Sequence, residues 1–494
     1  MRFKINSLLP AIIVITIGLA ACKKVETIIK NIQTPTSSFV TLVVDPLSKW
    51  KSSATTNYID STFYFQNKSD SAADITYKWN FGDGTSSQER MPSHVYKKRG
   101  QYLVTLVTTR SEIASDTASA IVSVVVGQQE VAIGAAPTST SAIDILETKE
   151  KNFLMLGVSY NSKVYPYNYS CFLMTMDSLL KQKNLVTFPA NVQLNGIAAC
   201  NDGNYIATGT TSGATANSEL VKLKTDGTIL WSKKVSTDNF VRVAQTADNG
   251  FVLTGSRSVK DQNNNTSSKT LLVKTDESGN VLWEKVFATD LVLEQTFNTV
   301  VESDGFVIAG TKRRDSNGTY CSYCDSVCVV KLNTQGAIVW KTSVAWALNT
   351  DNGGTVRISK MKNGNYNVIG SGLSGLFLFS PAGEFLDRKL MSNATGFYNV
   401  STSGGGIAVL QTENGNGFRA RVNGFNEKGL AQWSVGINGQ QAVPNGVMCC
   451  ANSWPVVVSP LSSGGIIFLA NKVDLNDYHY TIVMVMADES GQIM

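Results

Sequence analysis

Histidine is nearly absent from this sequence of 494 residues, and its scarcity excludes several kinds of chemistry. The only two histidines, His94 and His479, are far apart in the chain. Too few histidines are therefore present for a zinc site with several histidine ligands, and a Ser-His-Asp triad is not expected. The sequence also lacks a phosphate-binding loop and a dinucleotide fingerprint. We expect it to bind neither a metal nor a cofactor.

Charge is also scarce. Charged residues make up 16% of the chain, against about a quarter in an ordinary globular protein. The formal net charge is +5, and removal of residues 1–21, with Arg2 and Lys4, leaves 41 basic against 38 acidic residues. A chain so close to neutral is not expected to bind nucleic acid.

The first residues have the features of an export signal. Arg2 and Lys4 precede an apolar run, Leu8–Leu19, which is too short to read well as a membrane-spanning helix. The segment Leu19-Ala20-Ala21-Cys22 resembles the lipobox of bacterial lipoproteins, in which the cysteine is lipidated and begins the mature chain. The resemblance implies an outer-membrane lipoprotein anchored through Cys22, on the periplasmic or the surface-exposed face. An ordinary signal peptide is the alternative.

Seven cysteines remain besides Cys22, and three of them lie close together as Cys321, Cys324 and Cys328. Thiolates at such spacings bind zinc, but no fourth ligand and no histidine lies in the segment. We therefore favour a loop disulfide, with Cys321 and Cys324 as the candidate pair, together with a buried thiol.

Strand-like segments follow a polar tether of residues 22–37 and extend to residue 127. They are short, rich in β-branched and aromatic residues, and separated by turn residues, which is typical of an antiparallel sandwich. The segments are Phe63–Phe65, Thr76–Trp79, Tyr102–Val107 and Ile121–Val126.

Three blocks in residues 38–127 carry a family resemblance. They are Trp79–Gly84, His94–Tyr96 and Gly100–Leu106, in this order. They resemble the PKD domain, an immunoglobulin-like sandwich common in surface and secreted proteins, although Asn80 stands where that family usually has an acid.

Single residues of these blocks have structural explanations. We expect Trp79 and Tyr102 to fill the core between the two sheets. Asp83 lies among glycines and is expected to hydrogen-bond the turn backbone, since one carboxylate falls far short of a calcium site. We interpret His94 as a structural histidine.

Tandem repeats occupy residues 128–494. The best-matching copies have a turn of Asp-Gly or Gly-Gly type, a Val-Lys strand and a Gly-x-x-x-Trp hairpin, hence four short strands in roughly 40 to 60 residues. The second strands of the seven copies end at Gly157, Gly209, Gly255, Gly310, Gly370, Gln411 and Ala470. The predicted fold class is all-β, with an immunoglobulin-like sandwich followed by a seven-bladed β-propeller.

The hairpin glycines and tryptophans have a mechanical explanation. We expect the glycines to require positive φ and the tryptophans to wedge between neighbouring blades. The glycines are Gly227, Gly279, Gly336, Gly383 and Gly429; the tryptophans are Trp231, Trp283, Trp340 and Trp433, with Asp387 in their place in the fifth copy. These hairpins resemble the tryptophan repeats of quinoprotein-type propellers, which include non-catalytic outer-membrane assembly scaffolds. They miss the spacing of the sialidase Asp-box.

The last copy has almost no sequence for a fourth strand. Glu130–Ala135, in contrast, precedes the first copy without a partner. We expect this segment to supply the missing strand, which would join the two ends of the propeller and remove exposed sheet edges.

One position of the innermost strand varies between copies while its neighbours are mostly apolar. It holds Asp144, Gly196, Arg242, Phe297, Arg357, Tyr398 and Val457. Arginine and aromatic residues are enriched in recognition sites. Asp144, Arg242, Phe297, Arg357 and Tyr398 are therefore candidates for ligand binding on the propeller axis, although we favour a solvated channel lining as the explanation of the ring. The loops Ser258–Lys269 and Lys312–Cys324 are a further candidate contact surface.

Three functions from different classes fit these observations. The preferred one is a non-catalytic binding or scaffold lipoprotein of the cell envelope, in which the propeller engages a glycan or a protein and the PKD domain is a spacer or adhesion module. A glycan-active hydrolase or lyase is the alternative, although no acid–base pair is recognisable. A quinone-dependent oxidoreductase is the third, and it would require a cofactor cage on the axis.

Overall fold

The computed structural model describes most of the chain, and the regular structure in it is β-strand. The described residues are 33–44, 51–53, 55–111, 114–125, 128–131, 133, 138–161, 163, 169–210, 218–236, 238–260, 264, 266–288, 293, 296–312, 326–345, 356–370, 375–390, 394–402, 404–413, 419–436, 455–473 and 480–490. Within these ranges no helix is long and apolar enough to cross a membrane. The chain divides into two compact units, residues 1–127 and 128–493.

The first unit contains two sheets. Its strands are β1 (Phe39–Val44), β2 (Lys51–Ser53), β3 (Thr56–Tyr58), β4 (Thr62–Asn67), β5 (Ile75–Asn80), β6 (Ser86–Ser87), β7 (Ser93–Val95), β8 (Gly100–Arg110) and β9 (Ala114–Val125). They form a four-stranded sheet in the order β2-β1-β4-β7 and a five-stranded sheet in the order β3-β9-β8-β5-β6. Alternating side chains of β4 and β8 are buried in the shared core, as the period of a strand requires.

Aromatic residues fill this core. Trp79 is fully buried, and its Nε1 donates a hydrogen bond to the Glu89 carbonyl at 2.9 Å. The expectation for Tyr102 was correct only in part: this residue is half-buried, since its hydroxyl donates to the exposed Lys98 carbonyl. Its ring stacks at 4.2 Å on Tyr96, which is the fully buried tyrosine.

Asp83 and His94 have structural roles in the first unit, as the sequence predicts. Asp83 accepts a hydrogen bond from the Thr85 amide at 3.0 Å and pairs with His94 Nε2 at 2.7 Å. The imidazole of His94 stacks on Phe81 with a centroid distance of 4.3 Å. Burial raises the pKa of Asp83, but the hydrogen bonds from Thr85 and His94 outweigh it and hold the pKa below its ordinary value.

Seven four-stranded sheets lie in the described part of the second unit. In chain order, their strands are β10 (Gln128–Val131), β11 (Thr138–Glu147), β12 (Phe153–Asn161), β13 (Ser170–Met176), β14 (Gln182–Thr187), β15 (Gln193–Ala199), β16 (Tyr205–Thr210), β17 (Ser218–Leu223), β18 (Ile229–Ser236), β19 (Asn239–Gln245), β20 (Phe251–Lys260), β21 (Thr266–Thr275), β22 (Val281–Val286), β23 (Thr299–Glu302), β24 (Gly305–Lys312), β25 (Ser326–Asn333), β26 (Ile338–Ala345), β27 (Val356–Lys360), β28 (Tyr366–Gly370), β29 (Gly375–Phe379), β30 (Phe385–Leu390), β31 (Ala394–Ser401), β32 (Ile407–Glu413), β33 (Arg419–Phe425), β34 (Ala431–Gly436), β35 (Pro455–Pro460), β36 (Ile466–Val473) and β37 (Tyr480–Ala487).

Six sheets are antiparallel meanders of four consecutive strands, starting at β11, β15, β19, β23, β27 and β31; here they are numbered one to six. The first strands of successive sheets contact one another, and β35 of the seventh sheet contacts β11 of the first. The sheets therefore form a closed ring with their first strands innermost, which is the arrangement of a β-propeller. The middle strands are buried on both faces, and the fourth strands are largely exposed.

The strand that closes the ring comes from the beginning of the second unit. The seventh sheet has the order β10-β37-β36-β35, with Gln129 opposite Met484 and Glu130 opposite Val483. The predicted closing strand is confirmed, but β10 covers residues 128–131 and shares only Glu130 and Val131 with the predicted segment.

The predicted roles of the hairpin glycines and tryptophans are confirmed. The glycines have positive φ: 84° at Gly227, 78° at Gly279, 81° at Gly336, 85° at Gly383 and 70° at Gly429. A Cβ added at Gly279, Gly336 or Gly383 would meet the tryptophan of the preceding sheet at 3.3, 3.3 and 2.5 Å, respectively. Trp283 Nε1 also donates to the Thr334 carbonyl in the next sheet at 3.0 Å. Each of these tryptophans thus packs on the hairpin of its neighbour.

The lysine of the Val-Lys strand is buried and paired with the turn before the second strand. The pairs are Lys222 with Asp202 at 3.0 Å, Lys274 with Asp248 at 3.0 Å and Lys331 with Asp304 at 2.6 Å. Each lysine lies opposite the tryptophan of its sheet. The recurrent lysine, for which sequence reasoning predicted no role, therefore ties the third strand to the first turn.

One predicted loop is largely a hairpin. Strands β20 and β21 continue their pairing out to Lys260 and Thr266, so that strand residues occupy most of Ser258–Lys269. The error arose because a polar, Asn-rich sequence was interpreted as a loop, although an exposed hairpin tolerates polar residues on both faces. Most of Lys312–Cys324, including Cys321 and Cys324, lies outside the described residues, and so do Cys22 and His479.

Candidate functional site

The predicted axial position recurs at an equivalent place in the pairing of the sheets. In six sheets it pairs with a residue of the second strand. That residue comes directly before the repeat end given above, as Leu156 comes before Gly157. The pairs are Asp144 with Leu156, Gly196 with Thr208, Arg242 with Thr254, Arg357 with Ile369, Tyr398 with Leu410, and Val457 with Leu469. The sequence alignment of the repeats thus agrees with the strand register.

A β-bulge precedes the axial residue in several sheets. The register shifts between Ala142 and Asp144, between Leu194 and Gly196, and between Phe240 and Arg242. A shift of the same kind precedes Val457 in the seventh sheet. An extra residue bends a strand and re-aims the next side chain, which is why bulges are common beside binding sites. A glycine or proline lies at the bulges of the second and seventh sheets, Gly196 and Pro455, but not at those of the first and third.

Phe297 and Tyr398 depart from the predicted pattern in different ways. Phe297 precedes β23 rather than lying in it, and its amide donates to the Val356 carbonyl of the fifth sheet at 2.8 Å. Tyr398 lies on β31, but its side chain is outside the described part of the structure.

Residues from six sheets converge on one cavity of about 230 Å³. Four of the predicted residues line it, namely Asp144, Arg242, Phe297 and Arg357, and Val457 of the same ring lines it as well. Its wall also contains Val243, Ala244, Val252, Thr254, Asn298, Thr299, Asn399, Val400 and Val458. Because innermost strands supply most of this wall, we call it the axial cavity.

Two guanidinium groups lie over the ring of Phe297 in the axial cavity. The Cζ atom of Arg357 is 3.2 Å and that of Arg242 is 4.3 Å from the ring centroid. Asp144 is 3.8 Å from Arg242, measured from Oδ2 to Nε. Cation–π contacts of this kind are strongest where water is excluded, and Asp144 and Arg357 are each only 7% exposed.

Backbone groups hold the side chains of Arg242 and Asp144 in place. Arg242 Nη1 donates to the carbonyls of Asn195 and Val241 at 3.1 and 2.9 Å. Asp144 Oδ2 accepts from the Ile197 amide at 3.3 Å. Gly196 belongs to the same ring, and a Cβ there would come within 3.0 Å of Arg242 Nη1. The glycine therefore leaves room for the arginine of the next sheet.

Sequence reasoning missed the asparagines beside the axial positions. Asn298 makes two hydrogen bonds to Ile358 in the next sheet, donating to its carbonyl at 2.8 Å and accepting from its amide at 3.1 Å. Asn195 Nδ2 donates to the Phe240 carbonyl at 3.3 Å. The sequence contains a signal for these asparagines, because an asparagine recurs next to the axial residues Gly196, Phe297 and Tyr398.

A second, larger cavity of about 720 Å³ lies between the second and third sheets. Trp231, Gln245 and Glu277 are among the residues that line it. Its polar groups bond to one another: the Asn201 amide donates to Gln245 at 2.7 Å, and Asn201 Nδ2 donates to Asn249 at 3.3 Å. These contacts belong to the turns that hold adjacent sheets together.

Among the described residues, no group of three or more His, Cys, Asp or Glu side chains could hold a metal ion. Cys171 and Cys200 are buried free thiols, and the buried sulfur of Cys328 lies 3.1 Å from the Ser343 hydroxyl. Burial raises the pKa of Cys171 and of Cys200, so both remain protonated at neutral pH.

Comparison with known proteins identifies the first unit. Residues 44–126 match the family model of the PKD domain. Over 44 residues, 9% of this chain, the sequence is 50% identical to a collagenase of Bacillus cereus, of which the match spans 5%. The PKD1 domain of the Vibrio cholerae metalloprotease PrtV is 31% identical, covering 19% of this chain and 98% of that domain with a TM-score of 0.14.

The second unit is similar in fold to known propellers. The β-propeller domain of the Trilobed protease from Pyrococcus furiosus is 10% identical and covers 70% of this chain and 93% of that domain, with a TM-score of 0.43. This likeness concerns the fold alone. The closed ring of four-stranded sheets described above is what identifies the second unit as a β-propeller. The chain is therefore an all-β protein that carries a PKD domain ahead of a β-propeller.

Proposed function

We propose that this chain is a lipid-anchored, non-catalytic binding protein of the outer membrane, in which the propeller engages a glycan or a protein. The axial cavity carries this proposal. Six sheets each contribute to its wall, and Arg242 and Phe297 are hydrogen-bonded to backbone carbonyls of neighbouring sheets. Such preorganisation lowers the entropic cost of ligand binding.

The groups in the axial cavity favour binding over catalysis. A glycosidase requires two carboxyl groups, and Asp144 is the one carboxylate among the described residues that line the cavity. It is engaged by Arg242 and by the amides of Ile145 and Ile197. His94 belongs to the PKD domain, where it pairs with Asp83.

Anchoring at the outer membrane is proposed from the sequence, since Cys22 ends a lipobox-like segment. Acyl chains contribute about 0.8 kcal/mol per buried methylene, so that several chains on one cysteine suffice to hold a protein at a bilayer. The PKD domain lies between Cys22 and the propeller in the chain, and we assign it the role of spacer or adhesion module.

Binding is tested by passing the chain over a panel of immobilised polysaccharides and envelope proteins, with the soluble products analysed in parallel. We expect retention on at least one member of the panel without release of new reducing ends or unsaturated sugars. Release of such products would establish the alternative, a glycan-active hydrolase or lyase.

Anchoring is tested separately by the Cys22→Ala variant in cells fed a labelled fatty acid. We expect the wild-type chain to take up label and to sediment with outer membranes, and the variant to do neither. An unlabelled wild-type chain that does not sediment with membranes would contradict the proposed anchor.

A further inference from the structure

The cavity of about 720 Å³ between the second and third sheets has the size of a ligand site. It is here called the intersheet cavity, and Asn201, Trp231, Gln245, Asn249 and Ser278 are among the residues that line it. It shares no described lining residue with the axial cavity. Its 720 Å³ corresponds to roughly 24 water molecules in the liquid and lies within the range of about 300–1,000 Å³ that is usual for small-molecule sites.

Amide side chains from two turns, residues 200–204 and 245–250, meet in the intersheet cavity. The Gln245 side-chain oxygen accepts a hydrogen bond from the Asn201 backbone amide at 2.7 Å, and Asn249 Oδ1 accepts one from Asn201 Nδ2 at 3.3 Å. Gln245 Nε2 donates to the Asn249 carbonyl at 3.3 Å. These bonds fix the amides without using all their donors and acceptors, because each carboxamide has two N–H groups and an oxygen with two lone pairs. The amides can therefore hydrogen-bond a ligand without first rearranging.

Most charged side chains of the intersheet cavity are engaged within the protein. Lys222 Nζ lies 3.0 Å from Asp202 Oδ2, and Lys233 donates to Asn280 in the third sheet. The apolar part of the described lining consists of Leu230 and Trp231. An ionic ligand would compete with these internal contacts, and a peptide with apolar anchors would find few apolar groups to contact. The lining therefore favours a neutral, polar ligand.

Trp231 differs from its counterpart in the next sheet. Trp283 Nε1 donates to the Thr334 carbonyl, which belongs to the hairpin of the fourth sheet. The corresponding acceptor for Trp231 is the Glu277 carbonyl, since both carbonyls follow the first residue of their hairpin turns. Within the described residues Trp231 Nε1 makes no such bond, although Trp231 and Glu277 both line the cavity and the indole packs at Gly279. The indole N–H is thus left for a ligand.

We propose that the intersheet cavity binds a neutral sugar residue of a glycan, which packs against Trp231 and is hydrogen-bonded by the amides of Asn201, Gln245 and Asn249. The C–H groups of a pyranose ring form an apolar face that suits an aromatic ring. Its hydroxyls donate and accept hydrogen bonds, as carboxamides do. The inference goes beyond the proposed function, because it places a second site away from the axial cavity and does not require that cavity to hold a ligand.

The test is calorimetric titration of the chain from residue 22 onward, carrying Cys22→Ser. The probes are the neutral oligosaccharides cellohexaose, xylohexaose, mannohexaose and chitohexaose, and the charged hexagalacturonate. We expect at least one neutral oligosaccharide to bind, and to bind more tightly than hexagalacturonate. Tightest binding of hexagalacturonate, or no binding of any neutral probe, would overturn the inference.

Ser278→Trp locates the bound sugar, because it adds an indole to the cavity from an exposed hairpin position without removing a buried side chain. It is expected to weaken oligosaccharide binding at least about tenfold, since the sugar would clash with the new ring. Gln335→Trp makes the same change at the equivalent exposed position of the fourth sheet and is expected to leave the affinity unchanged. Equal affinities of the two variants would contradict the proposed site.

A second pair of variants tests the indole. Trp231→Phe retains an aromatic ring but loses the N–H, and it is expected to weaken binding about fivefold, the effect of losing one hydrogen bond. Trp283→Phe removes an indole whose N–H is already bonded to Thr334, so the affinity should not change. An equal loss in both variants would show that Trp231 does not contact the sugar.

The polysaccharide and protein panel separates this inference from the proposed function. If the wild-type chain and Ser278→Trp are retained equally and no neutral oligosaccharide binds, the binding function stands and the intersheet site is wrong. If Ser278→Trp abolishes retention only on envelope proteins, the cavity is a protein site and the inference is wrong. If the wild-type chain binds neither an oligosaccharide nor a panel member, both fail.

Discussion

Glu302 shows how a single residue joins two sheets of the propeller. It lies at the end of β23 and accepts hydrogen bonds from Lys331 in its own sheet and from Lys360 and Tyr366 in the next, with 2.8 Å to the Tyr366 hydroxyl. Burial raises the pKa of Glu302, but these three donors outweigh it and lower the pKa to about 2. Burial and the Glu302 carboxylate raise the pKa of Tyr366 above its usual range.

The stability of the propeller should therefore fall in acid in a way that depends on Glu302. Its pKa is 4.5 ordinarily and about 2 in the fold, so its stabilisation is complete above pH 4.5 and is lost as the pH falls towards 2. Glu302→Gln should lower the free energy of unfolding at pH 7 by about 3 kcal/mol, the cost of breaking a buried ion pair. Urea unfolding at several pH values measures the effect.

The matched control is Glu277→Gln, which changes an exposed glutamate in a hairpin turn. The free energy of unfolding of this variant should equal that of the wild type at every pH measured. A gap between wild type and Glu302→Gln that does not narrow between pH 4.5 and pH 2 would show that the carboxylate charge is not what stabilises the two sheets.

At the scale of the element, the hairpin between the third and fourth strands is where neighbouring sheets meet. The glycine gives the turn its positive φ, and the tryptophan of the preceding sheet packs directly over it. In the fifth sheet Asp387 replaces the tryptophan, and the side chains next to Gly429 are those of Lys389 and Leu378 instead. Lys389 and Leu378 thus fill the place of the tryptophan at the contact between the fifth and sixth sheets. This explains why a repeat can lose its tryptophan and still form a sheet.

Two glycine variants separate backbone strain from this packing. Gly383 and Gly203 have nearly the same φ, 85° and 83°, but a Cβ at Gly383 would meet Trp340 at 2.5 Å, whereas a Cβ at Gly203 meets nothing within 4 Å. Both alanine variants are destabilised because alanine is forced into the left-handed conformation. Gly383→Ala should be less stable than Gly203→Ala by about 1–3 kcal/mol, the usual cost of overpacking, as measured by urea unfolding. Equal destabilisation would mean that the tryptophan contact does not restrict the turn.

At the scale of the whole molecule, the seven sheets depend on the pairing of β10 with β37. This pair brings the start of the second unit into the same sheet as its last strands. Without it, β37 would present an unpaired edge, which is a site of aggregation.

Proline substitutions at adjacent residues of β10 test the closure with an internal control. Successive backbone N–H groups of an edge strand point alternately to its partner and away from it. One of the variants Gln129→Pro and Glu130→Pro should therefore lose a hydrogen bond to β37 and about 1–3 kcal/mol of stability, and the other should be nearly neutral. Thermal unfolding monitored by light scattering measures both, and two equally stable variants would contradict the pairing.

The accuracy of the sequence-based predictions differs between features for physical reasons. Repeats, hairpin glycines and the PKD blocks depend on local geometry, and they were predicted at the residue level. The hairpin of β20 and β21 was mistaken for a loop because polar residues carry no signal for exposed strands. The axial residues were identified from the repeat alignment, but the position of Phe297 outside β23 was not, since it depends on a contact with Val356 in the next sheet.

The sequence by itself determined which apolar segments become strands, where turns require glycine, and that the repeats form a ring of sheets, because each of these follows from residues close together in the chain. The tertiary structure alone decided that Arg242 and Arg357, 115 positions apart in the sequence, face the same phenyl ring. It also decided that Asp144 lies beside Arg242, with 3.8 Å from Oδ2 to Nε. The composition of such a cavity depends on side chains brought together from different sheets, and no local pattern encodes it.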